Sequence, residues 1–576
     1  MGALFTPAPW RLITDTALWS ENWPGIPRPA RGEIRAKFTN CSLCTAGCAV
    51  RARCVGDQPV ALAGVAGGLC PFGLTAHHLP YHPARLKQGR VKEAAAAVAD
   101  AVAQCGPAER VAVLDLRSGR TASWTHRRAM GSVRNGLYLA PPESPVAVAL
   151  QNAKTVLSLS APLLDGWGTP GNVFAARDHF RLIQAEAVES RTAALADLWL
   201  PIQPGTEGAL ALGIADEISP SETARITGLS ADQIGSLLKD LHENGPALVV
   251  DHEMSPAVVA LNVRLGGWGR TIGPRRGAPV PETWKKAAPV TELARVADRS
   301  IRVLLIDESV PGEYLPWDAI EKKLVAANPV VIAFAGSAEG YARHAQYVLP
   351  TAIYPEALDD VPPAIDSAVA TFRIAAPLVA PPAGMVSPQE FITGIAGLRV
   401  PDALRERADA IHKTGRGTLV TYADGKSVPV KGVKPDDFWK ALNAGGRWIG
   451  VDAAPVGQGL PPVNRPKAGF AQPTVEPIAS DYPLTIVAES QVTRLSSPLM
   501  SQIYQESNLR LAPNRVALHP TDAASSGIAD GGRAVLETPN GKREVQVTID
   551  SSVRPGVVLM AGRADIGSTG AKVVRI

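Results

Sequence analysis

The chain has 576 residues, 46% of them apolar and 19% charged, with 58 Lys and Arg set against 54 Asp and Glu. At roughly 150 residues per domain this length builds several domains, and the composition excludes a disordered chain or a small disulfide-stapled module. The net charge of +4, with no long basic run, speaks against nucleic acid as a partner, and no apolar run reaches the length of a membrane-spanning helix.

In chain order, chemistry comes first. Cys41, Cys44, Cys48, Cys54 and Cys70 crowd near the N-terminus, and only Cys105 stands apart. Cys41-x2-Cys44-x3-Cys48 wraps three thiolates around one loop and Cys70 returns a fourth, the spacing of a cubane [4Fe–4S] cluster. Gly47 and the Gly67-Gly68 pair admit close backbone approach, and Pro71 restrains the chain after the last ligand. A structural zinc site is the alternative, but its usual second Cys-x2-Cys is missing. Cys54, before a Gly56-Asp57 turn, and Cys105, ending an alanine-rich helix, are expected to be buried spares.

Next, Lys92 to Gln104 predicts a helix, and Val111 to Leu116 a buried strand. Similar apolar runs recur at Thr155 to Leu159, Ala247 to Val250, Val303 to Ile306 and Val330 to Phe334, separated by helix-like stretches. One such helix carries a capping box, Ser230 with Gln233, an apolar face of Ile234, Leu237, Leu238 and Leu241, and Gly245 as its close. Alternating strands and helices imply doubly wound parallel sheets. The texture then loosens from Asp402 to Asp481, which reads as a linker or wrapping segment. From Tyr482 onward, short β-rich runs at Arg533 to Glu537 and Arg543 to Ile549, joined through Asn540-Gly541, predict a small β-barrel. Histidines 77, 78, 82, 126 and 344 carry no pattern that singles them out for acid–base work.

The run from Asn40 to Leu74, continued by His82-Pro83-Ala84-Arg85-Leu86, resembles the iron–sulfur domain of the molybdopterin oxidoreductases of the dimethyl sulfoxide reductase superfamily. ALADLWLPIQPGTEGALALG before Ile214, VLPTAIYPEA ending at Ala357, and the tail from NRVALHPTDAASSGIADGGRAVLETPNG to RPGVV resemble, in order, its central domain, the matching element of its other half and its C-terminal dinucleotide-binding barrel. The resemblance implies an α/β, dimethyl sulfoxide reductase-like multidomain fold: 1–90 as arm and cluster domain, 91–400 as α/β domains, 401–480 as linker, and 481–576 as barrel. It also implies that Cys41, Cys44, Cys48 and Cys70 hold the cluster, and that Gly205, Thr206, Glu207 and Arg191 line a cleft for molybdopterin guanine dinucleotide.

Three departures bear on activity. Phe72 stands where a basic residue usually bridges cluster and pterin. Between Gly131 and Val146 only Ser132 and Ser144 offer themselves as metal ligands. The stretch Glu186 to Arg191 lacks the usual proline. The N-terminal pattern Trp10-Arg11-Leu12, Thr16 to Trp19 and Glu21 to Pro24, leading through Pro29 and Arg31-Gly32-Glu33, resembles the branch of the superfamily whose members serve as subunits of quinone reductase complexes.

This branch implies an electron-transfer subunit without catalytic molybdenum. Its partners would be an iron–sulfur ferredoxin-like subunit, a multihaem cytochrome c and an integral membrane quinone-binding subunit. The alternative is an active bis-molybdopterin guanine dinucleotide oxidoreductase acting on a small oxyanion, a sulfur compound or formate. The start lacks the charged and apolar parts of a signal peptide, which by itself reads as cytoplasmic. Small and apolar residues before a Pro-rich start look like the end of an export signal, and Trp10-Arg11-Leu12 resembles the residues just after a twin-arginine signal, so the expectation is the periplasmic side of the cytoplasmic membrane, held there through partners.

Overall fold

The computed structural model describes residues 32–450, apart from 66–67, 142, 286, 311, 313–315 and 400–401, and then 481–488, 499, 514–539, 541–560 and 570–576. The tryptophan-rich opening, Gly67, most of the second half of the expected linker and Asn540 lie outside the described residues.

The chain enters as a three-stranded antiparallel sheet, β1 (Ile34–Asn40), β2 (Ala49–Val55) and β3 (Gln58–Gly64). Gly56, with φ of +59°, makes the tight β2–β3 turn and leaves Cys54 buried inside the sheet. A helix at Val91–Ala103 then leads into β4 (Arg110–Asp115) and β5 (Gly136–Leu139).

Here the chain leaves that sheet to build another. β6 (Val146–Val148) precedes β7 (Thr155–Leu159), β8 (Arg181–Ala185), β9 (Leu198–Leu200) and β10 (Ala247–Val250), and β11 (Ile272–Pro274) returns to pair with β6. The sheet β10-β7-β8-β9 is wholly parallel. The chain then rejoins the first sheet with β12 (Val290–Thr291), β13 (Ile301–Glu308), β14 (Val330–Ala335) and β15 (Tyr347–Pro350). Its order, β12-β5-β4-β13-β14-β15, is again parallel throughout.

The unbroken apolar runs of these strands have a physical reason. In the first sheet Val111, Val113, Val303, Leu305, Ile332 and Phe334 pack on one face, and their alternating neighbours Ala112, Leu114, Leu304, Ile306, Val331 and Ala333 on the other, so helices cover both faces. The expected strand at 155–159 and that at 247–250 have the observed bounds, and Ser230 and Gln233 form the capping box. That helix ends at Glu243 with Asn244 as its cap, so Gly245 follows the end instead of forming it.

The reading of 401–480 as a linker or wrapping segment needs correction over its described residues, 402–450. β16 (Asp359–Val361), β17 (Thr371–Ala375), β18 (Thr418–Val420), β19 (Ser427–Pro429) and β20 (Arg447–Ile449) form one antiparallel sheet, β16-β17-β20-β18-β19. Helices Ala403–Lys413 and Pro435–Asn443 pack on it through Ile411, Phe438 and Leu442 against Phe372, Leu419 and Trp448. Three-residue strands among Gly, Lys and Pro show no period of their own, because their partner β17 lies before them. Lastly β21 (Leu484–Ala488), β22 (Arg515–Leu518), β23 (Arg533–Thr538), β24 (Gly541–Ile549), β25 (Val557–Met560) and β26 (Gly570–Arg575) close a barrel in the order β21-β25-β22-β24-β23-β26.

Candidate functional site

The cysteine loop is the connection of the β1–β2 hairpin. The ladder pairs Asn40 with Ala49, and the Cys41 amide donates to the Cys48 carbonyl at 2.9 Å, so the intervening residues swing out as one closed loop. Its root is pinned by Asn40, whose Nδ2 donates to Ile374 and Gly445 carbonyls, and by Thr39 on the Ala376 carbonyl. Gly47 is in the left-handed region at φ of +56°, and a Cβ there would lie 2.7 Å from Arg373 Nη1. Cys70 caps the short helix Pro71–Leu74, with Pro71 at its first position and the Gly73 amide donating to Cys70 Sγ at 3.4 Å.

The fold brings Cys41, Cys48 and Cys70 into one buried core with the partly buried Cys44 against it, and none of the four is in a disulfide. Burial pushes the Cys41 and Cys48 thiols far up, with neighbouring cysteines adding to the shift, and pushes Cys70 up to about 12. Thiols in this state are poor nucleophiles and await a cationic centre that would turn them into thiolates. Among the described residues no three Cys, His, Asp or Glu side chains converge tightly enough to chelate a single metal ion. A cubane takes one thiolate on each of four irons, the arrangement that the spacing of these four cysteines predicts.

A further observation fits the cluster. Tyr354 lies in the same core, and its buried hydroxyl has no hydrogen-bond partner in the structure. Burial raises its pKa well above the ordinary value, and Cys41, Cys48 and Cys70 raise it further, so the unsatisfied donor stands beside three of the four sulfurs. Phe72 packs fully buried in that core.

Two arginines that sequence reasoning missed hold the loop. Arg117, just after β4, donates to the Ser42 and Leu43 carbonyls, and Arg373, on β17, donates to those of Ala46 and Gly47, both at 2.7 Å. Beyond the loop a small cleft opens toward the carboxyl ends of β13, β14 and β15, lined by Ser42, Leu43, Glu308, Ser309, Ser337 and Tyr354. Strand order reverses between β4 and β13, where doubly wound sheets bind ligands. A charge network fills that point: Arg120 pairs with Asp115, Asp307 and Asp359 at 3.2, 2.9 and 2.8 Å. His126 lies 3.9 Å from Asp115 and Asp307, and burial lowers its pKa against their attraction. Two segments recognised separately in the sequence meet nearby, where Arg85 pairs with Glu356 at 2.6 Å, both side chains fully buried.

The other expected site residues gather at the carboxyl ends of β7, β8 and β9. Gly205, at φ of +76°, turns the chain after β9 so that Thr206 caps the helix Glu207–Ile214. The carboxylate of Glu207 accepts from Ser160, which follows β7, at 2.7 Å, and burial raises its pKa. Arg191, after β8, pairs with Asp165 at 2.8 Å. Glu186 accepts from the Ser190 amide and from Gln184 Nε2, both at 2.9 Å, and burial pushes it up to about 7. Ser132 spends its hydroxyl on the Arg128 carbonyl at an exposed helix end, and Ser144 bonds to the backbone of Val146.

A cysteine hairpin, two parallel sheets with ligand-facing carboxyl ends, and a closed barrel together define the fold of the molybdopterin oxidoreductases of the dimethyl sulfoxide reductase family. Acetylene hydratase from Pelobacter acetylenicus matches at a TM-score of 0.66 over 93% of this chain and 95% of its own, with 15% identity. Residues 492–573 match the family described as the Molydopterin dinucleotide binding domain. By sequence the chain is similar to the menaquinone reductase, molybdopterin-binding-like subunit of Nitratidesulfovibrio vulgaris, 25% identical over 97% of this chain and 91% of that protein.

Proposed function

We propose that this chain is an electron-transfer subunit of a membrane-associated respiratory quinone reductase complex, carrying one [4Fe–4S] cluster on Cys41, Cys44, Cys48 and Cys70 and no catalytic molybdenum. The observation that carries the reading is the gathering of four cysteines, three of them buried beside an unsatisfied Tyr354 hydroxyl, within a chain similar over nearly its whole length to a menaquinone reductase subunit. When bound, the cluster supplies a one-electron store. The chain's own part is to exclude water from it, to hold the loop by its backbone carbonyls, and to point the Gly73 amide at the Cys70 sulfur.

The second sheet supports a pterin cleft. Glu186 and Glu207 are acceptors ready for a group that presents N–H donors, as the guanine edge of a dinucleotide does, with Gly205, Thr206 and Arg191 beside them. Among the described residues no helix is long and apolar enough to cross a membrane. Attachment through an iron–sulfur subunit and an integral quinone-binding subunit, on the periplasmic side and supplied by a multihaem cytochrome, completes the proposal.

Metal and pterin analysis of the native protein tests it. About four irons per chain are expected, lost in Cys70→Ala and retained in Cys54→Ser; full iron in Cys70→Ala overturns the ligand set. Stoichiometric molybdenum or tungsten overturns the non-catalytic reading in favour of an active oxidoreductase. Recovery from salt-washed membranes as a free monomer, with no cytochrome or iron–sulfur protein, removes the complex.

A further inference from the structure

We propose that Arg117 and Arg373 are electrostatic positioning residues that raise the reduction potential of the bound cluster; the inference rests on the cluster reading above. They come from different sheets and grip opposite arms of one loop, Arg117 the carbonyls of Ser42 and Leu43, Arg373 those of Ala46 and Gly47. Both are buried, at 9% and 5% exposure. Withdrawing a guanidinium from water is costly, and a fold that needed only to tie down a carbonyl could use a neutral amide. The carbonyl oxygens that the two guanidinium groups hold carry no formal charge. Arg373 has no salt bridge among the described residues, and its Nε is buried without a hydrogen-bond partner.

Asp359 already acts on Arg117 and Asp366 on Arg373, and ligand thiolates in the loop would add anions to both. Cys41 and Cys44 lie within electrostatic reach of Arg117, and Cys48 within reach of Arg373. A cubane on four thiolates is anionic in both redox states and gains one more negative charge on taking an electron from a haem or iron–sulfur donor. No proton and no bond need change hands. The reduced state is therefore stabilised more than the oxidised one by two cations fixed in a dry, low-dielectric wall. Gly47 serves the same arrangement, since any Cβ there would displace the Arg373 guanidinium.

The test is a redox titration, followed by electron paramagnetic resonance, of the full-length cluster-loaded protein and its Arg117→Gln, Arg373→Gln, Arg117→Lys and Arg373→Lys variants, with iron measured in parallel. Gln keeps a donor for the carbonyl and removes the charge, whereas Lys keeps the charge. Each Gln variant is expected to hold iron and to lose about tenfold in the reduced-to-oxidised ratio at the wild-type midpoint, equal to about 59 mV for one electron. The Lys variants should stay near wild type. Gln variants with full iron and an unmoved midpoint overturn the proposal. If the Gln variants lose iron, the Lys variants decide: iron held at the wild-type midpoint supports the charge, and loss of iron there too makes the guanidinium a purely structural clamp. A wild-type protein without iron or signal is a different failure, that of the cluster reading itself.

Discussion

Glu186 follows β8 with both carboxylate oxygens engaged, yet burial pushes its pKa from 4.5 up to about 7. Between those two values the folded protein keeps a proton that the unfolded chain has released, so stability falls as pH rises through that window and is flat above it. Glu186→Gln abolishes this dependence. The Gln184 carboxamide oxygen is buried without a partner, and turning that amide over lets it accept from the new side chain. The variant should match wild type at pH 4 and exceed it by about 2 kcal/mol at pH 8 in denaturant titrations. Arg120 is the opposite case, since its removal leaves three aspartates without their common cation. Arg120→Met should cost about 3 to 5 kcal/mol at neutral pH, with partial recovery in acid as the carboxylates protonate. At this scale the gathering of the cysteines was legible in the sequence, because the spacing of Cys41, Cys44 and Cys48 is written locally. Arg373 and Tyr354 were invisible in it, since each meets the cysteine loop across some three hundred residues and neither sits in a pattern that spacing can reveal.

Elements were most legible where their stabilisation is local or their burial two-sided. The capping box could be read outright because both partners lie within one turn. Ser230→Ala should cost about 1 kcal/mol in thermal unfolding while leaving iron content unchanged. The strands of the parallel sheets betrayed themselves as continuous apolar runs. The β16 to β20 sheet did not, because each of its strands is too short to show alternation and is completed only by partners elsewhere in the chain. The cysteine hairpin depends on one residue that an element-level reading can test. Gly47→Ala combines a left-handed backbone with a Cβ 2.7 Å from Arg373 Nη1. It should lower stability by about 1 to 2 kcal/mol and reduce the iron retained on gel filtration.

At the scale of the whole molecule, the barrel touches the second sheet through the loop that bears Glu186 and Arg191. Val188 bridges Val553, the Glu189 amide donates to the Ser552 carbonyl at 2.7 Å, and the Arg554 amide donates to that of Ala187 at 3.1 Å. Ala187, Val188, Val487, Ala517, Val553 and Val557 form a small shared core there. Val553→Asp buries an unpaired charge in it and should split thermal unfolding into two transitions, the barrel melting first and becoming sensitive to protease. A single unshifted transition would show that the barrel does not depend on this contact. The grip of Arg373 on the cysteine loop also has a meaning in time. A chain made from its N-terminus exposes the loop early, but 327 residues separate Ala46 from the guanidinium that closes over it. Until the ribosome has delivered that strand, and the nested second sheet before it, the hairpin stands open on one side. On the proposed cluster reading, the window for installing it is set by the order of synthesis, and late folding of the β16 to β20 sheet is the door that shuts behind it.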